Sequence, residues 1–328
     1  MGKKRKDKQG GKDLPELFFE RLTAIVGPSL SSEIRKTFIE RPTTFRVNTL
    51  KAKKQDVKKI LIDLGFQLRD VPWYTDAFIL LNKSKRELTD LPLYIEGKIY
   101  VQSLASMVPP LVLEPNAGEK VLDLTAAPGS KTSQIAAMME QQGLLVANDI
   151  DSVRFFKLKH NMELLGVLNE KEGWTCTLRM EPGWKLCSEY PEGYFDKILL
   201  DAPCSAEARF VEGDPRTYGY WSERKIKDMV STQWRLLLAA WYALKPGGTL
   251  VYSTCTFAPE ENEYQMTKFL ERVGNATLCD VEIAGLKRLP IVQSWKEKPV
   301  NIDTKKCLRV YPTKEIEGFF VAKIEKKI

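Results

Sequence analysis

Short apolar runs alternate with amphipathic stretches of helical length along most of the chain, and the pattern is clearest between Lys197 and Thr256. There, one apolar run ends at the sequence DAPCS (201–205), an amphipathic stretch covers about 222–243, and a second apolar run ends at STCT (253–256). A connection of this length predicts two parallel strands joined by a right-handed crossover. Each strand is followed by a cysteine, so both thiols are expected at the carboxyl edge of the sheet, where open parallel sheets bind ligands.

The same alternation of strands and helices begins at Glu119 and continues to the end of the sequence. The expected strands are 121–124, 144–148, 174–178 and a final pair at 307–311 and 318–324, with helices over 130–141 and 152–165. Strands that alternate with helices are typical of α/β domains built on a doubly wound parallel sheet. This part of the chain is therefore predicted to be a Rossmann-like α/β domain with a β-rich end.

The residues before Glu96 follow a different order. Helical spacing precedes a strand, a helix and one or two further strands, at 14–40, 43–50, 55–64 and 66–81. This order predicts a small N-terminal α/β accessory domain. The predicted organisation is a disordered basic tail (1–12), a small accessory domain (13–95) and a catalytic domain (96–328).

The accessory domain carries a cluster of positive charge in its first connection. Its members are Lys51, Lys53, Lys54, Lys58 and Lys59. Such a cluster is typical of a solvated surface or of a stripe that binds phosphates, and both interpretations stay open. The first thirteen residues carry +4 of the net charge of +7 and leave +3 for the rest. A polyanionic partner would therefore have to meet positive charge that is gathered locally.

Composition narrows the class of protein. A hydrophobic content of 43% and a charged content of 28% over 328 residues are typical of a globular protein with a sizeable core. No apolar run approaches the roughly 20 residues that span a bilayer, and the N-terminus lacks a secretory signal. Six cysteines without Cys-x-x-Cys spacing and a single histidine argue against a metal site or a disulfide framework. We expect reduced thiols, no metal, no membrane and a cytoplasmic location.

A turn between the first strand and helix of the catalytic domain has the composition of a cofactor loop. DLTAAPGSKT (123–132) offers small residues and a glycine, which let the backbone approach a ligand at the helix N-terminus. It lacks the first glycine of a Walker loop and is not Gly-x-Gly-x-x-Gly. Asp149 ends the next strand, where doubly wound domains place the acid that binds ribose hydroxyls. Its alternative role is to cap the helix that begins near Ser152, although Asp151 serves equally well.

These motifs together resemble a known family. DLTAAPGSKT, DAPCS, KPGG (245–248) and YSTCT followed by PEENE (252–263) are similar to the Sun/Nop family of RNA cytosine-5 methyltransferases, in particular its RsmB/RsmF type. The resemblance runs in order from about Phe45 to the C-terminus. It implies a class I methyltransferase fold, S-adenosylmethionine as cofactor and RNA as partner.

The resemblance also implies roles for individual residues. Cys255 would be the nucleophile that adds to carbon 6 of cytosine, and Cys204 would assist release of the methylated product. Asp201 would hydrogen-bond the base near ring nitrogen 3, with Lys131 close to the same pocket. The implied cofactor site consists of Thr125, Ala126, Ala127, Pro128, Gly129, Ser130, Lys131, Asp149, Arg154, Glu181 and Asp201.

The sequence departs from the family pattern at two places. A glycine usually follows the motif DAPCS, whereas Ala206-Glu207-Ala208 follows it here and is expected to stiffen the loop that meets the base. An aspartate usually ends the third strand and contacts the adenine region. Glu181 is the nearest equivalent in this chain.

The sequence is compatible with three functions. The first is a methyltransferase that acts on ribosomal RNA as a monomer. The second is a transfer RNA enzyme with the same chemistry, because the motifs do not encode which RNA is bound. The third is a ribosome-assembly or RNA-binding factor whose catalysis is dispensable.

Overall fold

The computed structural model describes residues 14–328, so the predicted basic tail lies outside the described residues. An N-terminal part contains four strands: β1 (Thr44–Val47), β2 (Leu68–Val71), β3 (Tyr74–Leu80) and β4 (Ile99–Val101). Its helices are α1 (Glu16–Val26), α2 (Pro28–Arg35), α3 (Lys54–Asp63), α4 (Lys85–Thr89) and α5 (Pro92–Ile95). The predicted strand-helix-strand order is therefore present.

The N-terminal strands form an antiparallel sheet in the order β2-β3-β1-β4. Phe45 and Phe78 face each other on β1 and β3 and are both fully buried against Leu61 of α3. The fourth strand, β4, lies beyond position 95, where the sequence places the end of the accessory domain. The sheet is therefore completed by the segment that joins the two parts.

The second part has the strands β5 (Lys120–Asp123), β6 (Gly143–Asn148), β7 (Trp174–Arg179), β8 (Phe195–Asp201), β9 (Leu244–Thr254), β10 (Ala276–Cys279), β11 (Ser294–Trp295), β12 (Lys298–Pro299), β13 (Leu308–Val310) and β14 (Phe319–Lys326). Its helices are α6 (Leu104–Leu113), α7 (Ser130–Met138), α8 (Ser152–Leu164), α9 (Gly183–Ser188), α10 (Glu223–Ala243) and α11 (Glu263–Val273). The elements follow the alternation that the sequence predicts.

The large sheet has the order β10-β14-β9-β8-β5-β6-β7. The strands β9, β8, β5, β6 and β7 run parallel, while β14 is antiparallel to β9. The predicted α/β Rossmann-like class is thereby confirmed. The strands β8 and β9 are adjacent and parallel, with Asp201 opposite Ser253, so their carboxyl ends open at the same edge.

The helix α10 connects these two strands and packs on one face of the sheet. Its side chains Ile226, Leu237 and Trp241 are buried, and they recur at the spacing of one helical face. The helix begins where the Ser222 hydroxyl accepts a hydrogen bond from the Lys225 amide. Burying this apolar stripe fixes the crossover and holds the loops at both of its ends.

The first two helices pack against the loop that follows β8. The Phe18 ring of α1 lies 5.0 Å from the Phe210 ring and 5.7 Å from the Trp221 ring. Arg21, only 6% exposed, pairs with Glu223 at 2.8 Å and with Glu260 at 2.9 Å. The N-terminal helices therefore support the segment that carries one of the predicted thiols.

The lysine cluster of the accessory part is largely engaged with the protein itself. Lys54 and Lys58 both pair with Asp70, at 2.8 and 2.6 Å, and Lys51 donates to the carbonyl oxygens of Glu96 and Leu164. These contacts favour a solvated, internally paired surface at these three positions. Over residues 14–328, no helix combines the length and the apolar character that crossing a membrane requires.

Candidate active site

The carboxyl ends of β5, β6, β8 and β9 surround a cavity of about 820 Å³. Cavities of this size typically hold small organic ligands and cofactors. Its lining contains all four predicted catalytic residues, Cys204, Cys255, Asp201 and Lys131, together with Asp149 and Arg154. The fold therefore brings together residues that are up to 124 positions apart in the chain.

The turn between β5 and α7 forms one wall of this cavity. Gly129 has φ of 101°, so the turn requires glycine there, and a Cβ would also displace the end of the Met162 side chain, 2.5 Å away. The Thr125 hydroxyl donates to the Asp201 carbonyl oxygen at 2.8 Å, which ties the turn to β8. All predicted residues of the turn except Gly129 line the cavity: Thr125, Ala126, Ala127, Pro128, Ser130 and Lys131.

Asp149 lies at the end of β6 and is only 3% exposed. Its carboxylate accepts hydrogen bonds from the Ala127 amide at 3.2 Å and from the Asp151 amide at 3.1 Å, and it pairs with Arg154 at 3.2 Å. The cap of α8 is Asp151, whose side chain accepts from the Arg154 amide at 2.8 Å. Asp149 is therefore not needed as a helix cap, and its carboxylate borders the cavity.

Glu181 does not reach the cavity. Its carboxylate is paired with Lys185, four residues later, at 2.8 Å, because both side chains lie on the same exposed face of α9 and its approach. Gly183, Trp184 and Leu236 line the wall where the sequence placed Glu181. No spacing rule in the sequence marks these residues, since α9 and α10 meet there only after folding.

Asp201 and Lys131 form an ion pair next to the thiols. The Lys131 ammonium lies 2.6 Å from one carboxylate oxygen of Asp201 and also donates to the Ser106 hydroxyl at 2.8 Å. The other carboxylate oxygen accepts from the Ser253 hydroxyl at 2.8 Å. Both oxygens of Asp201 are thus held in place before any ligand binds. Ser106 and Ser253 are contributions that the sequence analysis did not find.

The two thiols are adjacent, with 3.4 Å between the sulfur atoms of Cys204 and Cys255. The hydrogen bond to the Cys255 sulfur, reinforced by burial, raises the pKa of Cys204 well above its usual value. A thiol whose pKa is raised stays protonated, so Cys204 is suited to donate a hydrogen bond to its neighbour. A protonated Cys204 agrees with the role that the family resemblance implies for this residue. The remaining cysteines lie apart from this pair.

A buried hydroxyl pair fastens the two cysteine loops to each other. The Ser205 and Thr256 oxygens are 2.7 Å apart, and each residue directly follows one of the cysteines. Ser205 donates to Glu261, and Thr256 donates to Glu207 at 2.9 Å. When both hydroxyls donate in this way, no hydrogen remains for the contact between them. A proton on one carboxyl group, donated to the hydroxyl beside it, would free that hydroxyl to donate to the other and complete the set.

Glu207 and Glu261, the two carboxyl groups behind the thiols, are buried and accept several hydrogen bonds. Glu261 also accepts from the Ser205 amide at 3.0 Å and from Gln233 at 2.8 Å. Glu207 accepts from Trp221 at 2.9 Å. Burial raises the pKa of Glu261 to about 7 and raises the pKa of Glu207. The sequence marked Glu207 only as a departure and Glu261 only as part of a motif.

The residue after the motif DAPCS, where the family usually has glycine, is Ala206 in this chain. Ala206 has φ of 57° and ψ of 31°, a left-handed conformation that a glycine adopts without strain. Arg209 follows in the same loop and lines the cavity. The neighbouring Cys255 thiol has the largest effect on the Arg209 guanidinium and raises its pKa. The loop therefore places a cation beside the thiol pair.

The lining residues fit S-adenosylmethionine. A buried carboxylate at the end of β6 suits ribose hydroxyls, and the backbone turn at the start of α7 allows close approach of the methionine part. The volume of about 820 Å³ leaves room for a nucleobase beside it. Asp149, Arg154 and the turn residues would hold the cofactor, while the thiols, Asp201 and Lys131 would face the base.

Two family models together match most of the described chain. A family model described as 16S rRNA methyltransferase RsmB/F matches residues 110–325, and one described as the N-terminal domain of 16S rRNA methyltransferase RsmF matches residues 14–104. The chain is similar to ribosomal RNA small subunit methyltransferase F of Vibrio parahaemolyticus, with 36% identity over 319 residues, 95% of this chain and 63% of the relative. This chain therefore spans less than two thirds of that relative's length.

Two archaeal proteins match over most of their own length. The chain is similar to tRNA (cytosine(49)-C(5))-methyltransferase of Pyrococcus abyssi, with 36% identity over 287 residues, 87% of this chain and 88% of the relative. It also resembles the crystal structure of a methyltransferase homolog protein from Pyrococcus horikoshii, with a TM-score of 0.82 and 34% identity over 96% of this chain and 95% of that one. The chain belongs to the RsmB/RsmF family of S-adenosylmethionine-dependent RNA cytosine-5 methyltransferases, as its motifs predict.

Proposed function

We propose that this protein methylates carbon 5 of a cytosine in RNA through a covalent adduct with Cys255. The observation that carries the proposal is the thiol pair, 3.4 Å apart, in one cavity with the Asp201–Lys131 ion pair and the buried Asp149. One side of the cavity suits the cofactor, and the other offers a nucleophile and polar groups for the base. This combination has no purpose in a protein that only binds RNA.

The reaction follows from the chemistry of these side chains. The Cys255 thiolate adds to carbon 6 of the cytosine, and the electron pair of the C5–C6 bond makes carbon 5 nucleophilic. The cofactor supplies an electrophilic methyl group. Asp201, held by Lys131 and Ser253, stabilises the base near ring nitrogen 3 as charge develops there. The carbon 5 proton is then lost to solvent, its electron pair restores the C5–C6 double bond, and the C6–S bond breaks to return the Cys255 thiolate.

Cys204 is placed to act in the second half of this sequence. Its thiol lies within hydrogen-bond distance of the Cys255 sulfur and stays protonated because its pKa is raised by that contact and by burial. A hydrogen bond donated to the departing sulfur stabilises the thiolate as a leaving group. Cys204 therefore accelerates release rather than attack.

Substitution of the two cysteines tests this division. Cys204→Ala should accumulate a protein–RNA adduct that survives denaturing electrophoresis and requires S-adenosylmethionine, because attack proceeds and release is slowed. Cys255→Ala should form no adduct and transfer no methyl group. The double variant should behave as Cys255→Ala does. Adducts that accumulate in Cys255→Ala and vanish in Cys204→Ala would reverse the roles.

The favoured substrate is small-subunit ribosomal RNA. The descriptions of both family models name 16S rRNA, and the two models match residues 110–325 and 14–104. A transfer RNA is the second candidate, because the Pyrococcus abyssi relative bears a tRNA name and is matched over 88% of its length. Bisulfite sequencing of total RNA, with and without the gene, decides between them. The position that loses protection from deamination in the deletion strain identifies the RNA and the cytosine.

A role in ribosome assembly that does not need catalysis makes a different prediction. Cys255→Ala would then restore growth and subunit profiles in a deletion strain as fully as the unaltered gene does. We expect it to fail, because the nucleophile, the neighbouring thiol and the Asp201–Lys131 pair are all present and oriented. We propose the cytoplasm as the location and a monomer as the working form, and sedimentation of the purified protein tests the latter.

A further inference from the structure

The wall of the cavity contains a carboxylate with one buried oxygen that has no hydrogen-bond partner among the described residues. Glu317 precedes β14 and is only 6% exposed, yet it lines the same cavity as the two thiols. Over residues 14–328, its Oε2 atom is buried and has no hydrogen-bond partner. Burying a carboxylate oxygen without a donor costs free energy, so a group of this kind at a site points to a ligand that supplies the donor.

The surroundings place this carboxylate on the base side of the cavity. Phe319, two residues later, has its ring 5.8 Å from the Lys131 ammonium, which is paired with Asp201. Arg209 lines the cavity together with Cys255 and Glu317. The pKa of Arg209 is raised, most strongly by Cys255 and next by Glu317. Glu317 and Arg209 therefore line the same cavity as the thiols and the Asp201–Lys131 pair, which would hold the cytosine.

Two arginines, Arg41 and Arg209, interact electrostatically with Glu317 but form no ion pair with it among the described residues. Burial lowers the pKa of Arg41, and the charge of Glu317 partly offsets that effect. Within the described part of the chain, neither Arg41 nor Arg209 forms an ion pair with this carboxylate. The Oε2 atom of Glu317 therefore remains available as a hydrogen-bond acceptor.

Cytosine and uracil differ at the groups such an acceptor would meet. Carbon 4 of cytosine carries an amino group, which donates hydrogen bonds, whereas carbon 4 of uracil carries a carbonyl oxygen, which accepts them. Asp201 is already engaged through both oxygens, by Lys131 and Ser253. Two carboxyl groups of the cavity lining have a buried oxygen without a donor within residues 14–328. Asp123 is fully buried at the end of β5 and accepts from Thr132 through its other oxygen, whereas Glu317 lies in the loop before β14, next to Arg209.

We propose that Glu317 accepts a hydrogen bond from the exocyclic amino group of the target cytosine and thereby excludes uracil. This inference rests on the proposed function and adds to it the residue that selects the base. A uracil in the same position would place its carbonyl oxygen against a buried carboxylate, and both groups would lack a donor.

The test compares two trapped adducts. An RNA oligonucleotide that spans the methylated position is prepared with 5-fluorocytidine or with 5-fluorouridine there. Fluorine on carbon 5 cannot leave as a proton does, so the methylated adduct persists and is counted on a denaturing gel. The unaltered protein should trap 5-fluorocytidine and discriminate strongly against 5-fluorouridine.

Glu317→Gln keeps the size of the side chain and replaces one acceptor with an amide donor. We expect the rate of adduct formation with 5-fluorocytidine to fall about 10- to 100-fold, and the preference for cytidine over uridine to fall by at least as much. Glu315→Gln is the matched control, because Glu315 is 38% exposed and pairs with Arg69 outside the cavity. It should leave both rates unchanged.

The outcomes separate this inference from the proposed function. If the unaltered protein forms no adduct with 5-fluorocytidine, the covalent mechanism fails and the inference fails with it. If that adduct forms and Glu317→Gln keeps the preference for cytidine, only the inference is overturned. A loss of S-adenosylmethionine affinity of tenfold or more in Glu317→Gln, measured by calorimetry, would assign the carboxylate to the cofactor and also overturn it.

Discussion

The two halves of the cavity are built in different ways. The cofactor half consists of one continuous turn, 125–131, together with Asp149 and Arg154 from the next strand and helix. The thiol half joins two loops that are 51 residues apart and is supported by buried carboxyl groups at Glu207 and Glu261. The first half offers backbone and a partly solvated ion pair, while the second is a closed network of side chains.

This difference has a physical origin in what each half must do. A bound cofactor needs a shaped surface with a few directed groups, and a helix N-terminus after a tight turn supplies this locally. Nucleophilic catalysis needs two sulfur atoms held at a fixed separation, and only packing around both loops can hold them. The thiol half should therefore be sensitive to changes in stability, and the cofactor half to changes in affinity.

The largest expected effect is from Glu261→Ala, which removes the shared acceptor of the thiol half. Ser205 and Gln233 would lose their partner, so the free energy of unfolding should fall by about 3 kcal/mol and methyl transfer by more than about 100-fold. S-adenosylmethionine affinity should stay within about twofold. Urea unfolding, methyl incorporation and calorimetry measure the three quantities.

The matched control for that variant is Glu271→Ala, at an exposed position of the neighbouring helix α11. It should change neither stability nor activity by a measurable amount. A parallel loss of cofactor affinity in Glu261→Ala would show that the two halves are coupled and would contradict the comparison.

In the cofactor half, Asp149→Ala should raise the dissociation constant of S-adenosylmethionine about 10- to 100-fold, because a carboxylate that would bind the ribose hydroxyls is lost. Asp151→Ala provides the control two residues away. It should cost about 1 kcal/mol of stability through the lost helix cap and leave affinity unchanged. Calorimetry that finds equal affinity in Asp149→Ala and the unaltered protein would remove Asp149 from the cofactor site.

The pH dependence of stability provides a second test of the thiol half. Burial raises the pKa of Glu261 from 4.5 to about 7, so the folded protein retains a proton that the unfolded chain releases. The contribution of this group is fully present below about pH 4.5 and is lost as the pH rises through about 7. The stability difference between the unaltered protein and Glu261→Gln should fall by about 3 kcal/mol over this range. A flat difference curve would argue against a proton in the network.

The smallest expected effect concerns the loop after Cys204. Ala206→Gly should raise the free energy of unfolding by about 0.5 kcal/mol, because relief of the left-handed strain exceeds the added freedom of the unfolded chain. Ala202→Gly, in the same loop at a buried position without positive φ, should lower it. Urea unfolding of both variants decides the sign, and a loss in Ala206→Gly would show that the loop is relaxed.

Local pattern in the sequence determined the elements and the cofactor half. Apolar periodicity predicted the helix α10 and the parallel pair β8 and β9, because the spacing of apolar residues shows which face of an element is buried. The turn 125–131 was identifiable since its residues are consecutive. The cysteines were identified by their motifs and by their expected position at the sheet edge, and the structure places them 3.4 Å apart.

Only the tertiary structure decided which other side chains reach the site. Glu181 lies just before α9 and is paired with Lys185 of that helix, whereas Glu317, more than 100 residues later, lines the cavity. The buried acceptors Glu207 and Glu261 and the support from α1 likewise depend on contacts between distant segments. Periodicity describes which face of an element is buried, but it contains no information on which distant element will cover that face. The partners of a buried charge are therefore settled by packing.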